Sequence, residues 1–169
     1  MYGMSEVSSK QVLEARIRAL LATIDDPEMP ISIIDLGIVA GVEVDDREAR
    51  VLITPTFTGC PALQMIDDQI VQIIGALPEV DKVVVTHVFD PPWRADRISE
   101  AGRERLREHG VTVPAPRFVQ MGIPTKETVP CPFCKSEQTN LDSPFGPTRC
   151  RMIYYCTSCR NTFEHLKTG

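Results

Sequence analysis

Four cysteines close to the C-terminus form two C-x₂-C pairs, Cys131-Pro-Phe-Cys134 and Cys156-Thr-Ser-Cys159, with 21 residues between them. Two pairs at this spacing suit a zinc ribbon, in which each pair sits on a tight knuckle and four thiolates close a tetrahedron around one Zn²⁺. The need for such an ion is physical. The last ~40 residues hold too few large apolar side chains for a core, and segments that short usually require a metal or disulfides to fold. A disulfide framework and a redox pair are the competing chemistries for C-x₂-C. Zinc is the expectation, because two knuckles suit one ion and Met1-Tyr-Gly-Met4-Ser-Glu lacks the basic-then-apolar pattern of an export signal. Cys150 is surplus to a four-ligand site and is expected to pack as a buried thiol. His165 is not needed as a ligand while four cysteines are present.

A sixth cysteine, Cys60, stands alone and directly precedes Pro61. Proline is favoured at the first position of a helix, so the Cys60 thiol is placed at a helix N-terminus, where unpaired N–H groups and the helix dipole favour a thiolate. A thiolate is the form that binds iron or attacks an electrophile. Thr56, Thr58 and Gly59 would let a small ligand approach. The bland alternative is a cysteine packed as a small hydrophobe.

The elements that must position these thiols can be read from periodicity. A first helix capped by Ser9 carries Leu13, Ile17, Leu20, Leu21 and Ile24 on one face. The prolines of Asp26-Pro27-Glu28-Met29-Pro30 end it. Val39–Val44 and Arg50–Thr54 read as a hairpin around Asp45-Asp46-Arg47-Glu48. A second helix follows Pro61, with Leu63, Ile66, Ile70, Ile73 and Leu77 inward. Val80–Phe89 reads as a strand buried on both sides at Val83–Val85, and Ile98–His109 as a third helix with Ile98, Ala101 and Leu106 inward, stopped by Gly110. The expected fold is therefore α+β. A small sheet is covered by helices in the order helix-hairpin-helix-strand-helix, and a zinc-ribbon β-hairpin module follows at the C-terminus. The expected divisions are an α+β domain over 1–112, a Pro- and Gly-containing linker over 113–128, and the ribbon over 129–169.

Composition narrows the function. The 169 residues are 43% hydrophobic with a net charge of −5, and no apolar run approaches the ~18 residues needed to cross a membrane. Six cysteines without an export pattern point to the reducing cytoplasm. The negative charge argues against nucleic acid as the main partner. No paired Glu-x-x-His stretches of a diiron oxygenase occur, and no glycine-rich dinucleotide fingerprint, so the chain is not expected to carry out a redox turnover alone.

Three stretches then carry a resemblance: Asp26-Pro-Glu-Met-Pro30 with Asp35-Leu-Gly-Ile-Val39, then Thr56-Phe-Thr-Gly-Cys60-Pro61, then Pro91-Pro92-Trp93. Over residues ~10–110 they resemble, in order and separation, a small iron–sulfur-assembly domain that includes the SufT-like proteins. That resemblance implies that Cys60 is the functional thiol and that Asp35 is its counterpart in the D-L-G stretch. With a ribbon containing Ser143-Pro-Phe-Gly-Pro-Thr-Arg-Cys150 and Phe163-Glu-His-Leu-Lys167, the chain resembles the PaaD family, small subunits of the phenylacetyl-CoA epoxidase system. The family implies an accessory or maturation role in aerobic phenylacetate breakdown, with the oxygen chemistry in other subunits. It further implies transient handling of iron or an iron–sulfur cluster at Cys60. One thiolate per chain is too few for a stable [2Fe–2S] centre, so a carried cluster calls for shared ligation across a homodimer. Two other readings stand beside this one. The ribbon could bind nucleic acid or a protein complex through Lys135, Arg149, Arg151, Tyr154, Tyr155 and Arg160, or Cys60 could be an enzymatic thiol with His87 as base.

Overall fold

The computed structural model describes residues 4–114 and 128–167, with side chains from residue 9 onward, so the expected linker over 113–128 lies largely outside the described residues. The elements follow the expected alternation, and the chain divides into two compact units, Met1–Trp93 and Arg94–Gly169. The division places the third helix with the ribbon.

In the first unit, helix α1 (Met4–Leu21) begins ahead of Ser9, so Ser9 lies within the helix instead of capping it. Ile17, Leu21 and Ile24 are fully buried, as their spacing of three and four requires. Strands β1 (Val39–Asp45) and β2 (Glu48–Ile53) pair antiparallel around a turn in which Asp46 has φ +49. Helix α2 (Ala62–Gly75) then carries the chain back, so that β3 (Lys82–His87) pairs parallel to β2, from Glu48 opposite Lys82 to Ile53 opposite His87. Antiparallel partners can be joined by a tight turn, whereas a parallel partner needs a crossover of this length.

The inward face of α2 is Ala62, Ile66, Ile70 and Ile74, a repeat of four; Ile73, expected inward, is only half-buried. Each fully buried isoleucine removes a side chain worth about 1.5–3 kcal/mol from water. The sheet order β1-β2-β3 makes β3 an edge strand, and Val83–Val85 are half-buried instead of covered on both faces. A run of β-branched residues does not distinguish an edge from a centre, because both favour the same side-chain shape.

The loops carrying the signature stretches are tied to this core by backbone contacts. Asp26 accepts at Oδ1 from the N–H groups of Glu28 (2.8 Å) and Met29 (2.9 Å), which fixes the Pro-Glu-Met turn. Leu36 is fully buried, Gly37 takes φ +72, and the Thr54 N–H donates to Ile38 O at 2.7 Å. The buried Trp93 indole N–H donates to Leu36 O at 3.0 Å, joining the Pro-Pro-Trp stretch to the Asp-Leu-Gly stretch.

In the second unit, Ser99 caps helix α3 (Glu100–Glu108) by accepting from the Gly102 N–H, and Gly110 at φ +74 ends it. Its buried face is Gly102 and Leu106, and Ala101, expected inward, is exposed. Strand β4 (Val111–Thr112) pairs parallel to β7 (Thr162–Leu166), which pairs antiparallel to β6 (Arg151–Cys156), and β6 to β5 (Thr139–Ser143). The ribbon is thus three strands of a four-stranded sheet in the order β4-β7-β6-β5, larger than the expected hairpin.

Candidate functional site

The four paired cysteines converge. Their sulfurs all lie within 4.8 Å of one another, and among the described residues they are the group able to hold a metal ion. Cys131 Sγ and Cys159 Sγ are 3.6 Å apart, as are Cys134 Sγ and Cys156 Sγ, so each of these close approaches runs between the two knuckles. Sulfurs at tetrahedral corners around an ion bonded at about 2.3 Å stand roughly 3.8 Å apart. The spacing fits that polyhedron and is too long for S–S bonds of about 2.05 Å.

The knuckles are built alike. Lys135 N–H donates to Cys131 O and Arg160 N–H to Cys156 O, each at 2.9 Å. Lys135 and Arg160, the residues after the second cysteine of each pair, both take left-handed backbone at φ +61 and +59. This turn reverses the chain within one C-x₂-C and points both sulfurs the same way. Ser136 Oγ and Ser158 Oγ lie 2.8 Å apart and bridge the knuckles beside the cluster. Beneath lies a small core of Val129, Cys131, Cys156 and Phe163, with Tyr154 stacked on Phe163 at 5.7 Å.

Crowding four thiols splits their acidities. The Asn161 N–H, ahead of the neighbouring sulfurs, pulls Cys159 down to about 7. The Ser136 N–H favours the Cys134 thiolate, but desolvation and the other three sulfurs outweigh it and push Cys134 up to about 12. Four thiolates cannot gather here without a cation, and a divalent soft ion removes that conflict.

Cys150 lies outside this group. It is buried, with its Sγ 3.2 Å from Thr148 Oγ1. His165 is 5% exposed, and its Nδ1 sits 2.8 Å from Thr112 Oγ1. Because the Thr112 hydroxyl donates to Glu164 O, Nδ1 carries the proton and donates to Oγ1. Burial holds the imidazole neutral, with its pKa lowered to about 4. Arg151, counted among the surface cations of the sequence, is instead buried, donating to Thr148 Oγ1 at 2.8 Å and paired with Glu164.

Cys60, in the first unit, has a different setting. It is half-buried at the end of the loop Phe57-Thr58-Gly59, whose three residues are exposed. Its N–H donates to Phe57 O and its carbonyl accepts from the Leu63 N–H, each at 3.3 Å. Pro61 occupies the cap of α2 in helical conformation and offers no side-chain bond, and no acidic residue stands in the first turn. Gly59 takes φ +82 with open space where a side chain would project. Thr56 is half-buried. Asp35, half-buried, accepts from Ser32 Oγ at 3.0 Å, and the Asp35 N–H donates back to Ser32 Oγ at 3.0 Å.

The tertiary partner of His87 was invisible in the sequence. Its Nε2 lies 3.0 Å from Asp67 Oδ2 on α2, while its ring meets Phe89 edge-on at 6.5 Å. The parallel strand β3 brings His87 to the same side as α2. Nothing local to either residue signals it.

Comparison with known proteins matches both halves separately. Residues 14–86 match the family described as iron–sulfur cluster assembly protein, ending before Pro91-Pro92-Trp93, and residues 116–167 match the PaaD zinc beta ribbon domain. The chain is 37% identical, over 99% of both lengths, to an Escherichia coli protein named as a subunit of 1,2-phenylacetyl-CoA epoxidase. It is 34% identical to the Bacillus subtilis Fe-S protein maturation auxiliary factor YitW, over 57% of this chain and 96% of that one. A crystal structure of a domain of unknown function (DUF59) from Bacillus anthracis superposes with a TM-score of 0.55 at 31% identity, covering 57% of this chain and 92% of the other. Among the described residues no helix is long and apolar enough to cross a membrane.

Proposed function

Since the chain belongs to the PaaD family of phenylacetyl-CoA epoxidase subunits, we propose that it is the accessory maturation subunit of such a multicomponent epoxidase, assisting the assembly of an iron or iron–sulfur centre in a partner subunit. The observation that carries this reading is the placement of Cys60. Its single thiol stands at a helix start with no acidic residue in the first turn, beside an exposed loop with open space at Gly59. Such a position suits brief ligation of a metal cargo better than permanent storage, because one thiolate leaves most of an iron's ligand positions to others. In this reading Asp35, Thr56 and Thr58, which lie in the signature stretches, supply the polar complement. If a [2Fe–2S] unit is held, two copies of Cys60 from a homodimer supply two of its four ligands and leave the other two positions to the client or to small thiols.

Cys131, Cys134, Cys156 and Cys159 are the ligands of a structural Zn²⁺ in this reading. When bound, the ion neutralises the thiolates and locks the two knuckles together. All four protein positions are then filled, leaving none open for substrate. The ribbon serves as a docking module for the client.

Anaerobic reconstitution with ferrous iron and sulfide tests the assignment. The wild-type chain should acquire iron and sulfide, and Cys60→Ser should acquire less than a tenth as much while keeping one zinc per chain. Equal loading of the two proteins would remove Cys60 from the mechanism.

A further inference from the structure

Apart from Cys60, the second unit contains a cavity of about 420 Å³ between α3, β4 and the first cysteine knuckle, whose Cys131 forms part of its wall. Its apolar wall includes Val111, Val129 and Pro130, and its basic side chains are Arg103, Arg107 and Lys135; among the described residues no carboxylate lines it. The size falls within the range of small-molecule sites, which combine an apolar wall with a few placed polar groups.

Among the described residues these charges are incompletely balanced. Arg103 is half-buried and donates from Nε to Ile98 O (3.3 Å), from Nη1 to Pro114 O (3.2 Å) and from Nη2 to Ala95 O. Among the described residues three carbonyls orient the guanidinium without neutralising it, and they leave two of its five N–H donors for another acceptor. Lys135 is exposed, its backbone is pinned to Cys131 O, and it has no ion-pair partner among the described residues. Arg107 shares its charge with Glu104. A half-buried cation facing an apolar cavity favours a counter-anion, which restores both the charge balance and the missing acceptor.

We propose that this cavity binds a small organic anion, with the apolar body against Val111, Val129 and Pro130 and the carboxylate, sulfonate or phosphate held by Arg103, Lys135 and Arg107. The site is independent of Cys60, and neither reading depends on the other. Naphthalene-1-sulfonate, titrated calorimetrically into the zinc-loaded full chain, is the probe. Naphthalene-1-methanol supplies the body without charge, and inorganic phosphate the charge without body.

One sulfonate should bind per chain and shift the amide resonances of Val111, Thr112 and Val129. Each control should bind at least tenfold more weakly. Lys135→Gln and Arg107→Gln, both at exposed side chains, should each weaken the sulfonate about tenfold with zinc content unchanged. Absence of 1:1 binding, equal affinity for the neutral alcohol, shifts confined to other residues, or unchanged affinity in both variants would overturn the proposal.

Discussion

The two thiol sites of this chain use the same atom in opposite surroundings. Around Cys60 the fold is complete without the sulfur. Ile17, Leu21, Ile53, Ile66, Ile70 and Ile74 are buried to 1% exposure or less, and the loop that presents the thiol is held by backbone bonds from the Cys60 N–H to Phe57 O and from the Leu63 N–H to Cys60 O. Around the four paired cysteines the sulfurs are part of the core itself, since two of its four buried members, Cys131 and Cys156, belong to the metal-binding group. A site whose ligand set is also its hydrophobic core must be occupied to fold, whereas a site resting on an independent core can be empty, loaded and emptied again. In the proposed reading, permanence and exchange are thereby separated along one chain.

The contrast can be broken most forcefully at the ribbon. Stripping metal with a chelator, or replacing Cys156 by Ser, should unfold residues 128–167, because structural zinc sites contribute on the order of 10 kcal/mol to folding. The dispersed amide resonances of β5–β7 should collapse while those of α2 persist. A ribbon that stays folded without metal would abolish the distinction. The converse cut is Ile70→Ala in α2, which should cost about 2–5 kcal/mol in chemical denaturation of the first unit and leave zinc stoichiometry at one.

A third cut uses pH. Because burial lowers the His165 pKa from 6.5 to about 4, the unfolded chain binds the extra proton throughout that interval and the folded chain does not. Stability contributed by the neutral ring is complete above pH 6.5 and is lost as pH falls towards 4, by up to about 3 kcal/mol. His165→Asn should flatten this slope in zinc-loaded protein relative to wild type, with melting followed at several pH values. The smallest effect is expected at the link between signature stretches. Trp93→Phe leaves Leu36 O without its donor and should cost about 1–3 kcal/mol without altering the ribbon, as measured by urea denaturation.

These regions were unequally legible. Cysteine spacing located the metal-binding group because C-x₂-C is a local code that one turn converts into geometry. The face of α2 was legible through Ile66 and Ile70, which set the helical period, while the choice between Ile73 and Ile74 depended on where the sheet lies. The pairing of β4 with β7 joins Val111 to Glu164, and no local pattern reports a partner so distant in the chain. His87 with Asp67 and the inward turn of Arg151 escaped for the same reason: both are decided by which strands become neighbours. Asp35 was legible as part of a stretch, but its bond to Ser32 shows a local turn that a carboxylate in a motif does not advertise.

The division between a permanent and an exchanging thiol site is tested most directly by the iron content of the epoxidase purified from cells in which this chain is supplied either as wild type or as Cys60→Ser. The account predicts that the variant protein remains folded with one zinc per chain while the epoxidase loses at least tenfold of its iron and activity. An epoxidase fully loaded with iron beside the Cys60→Ser chain would contradict it.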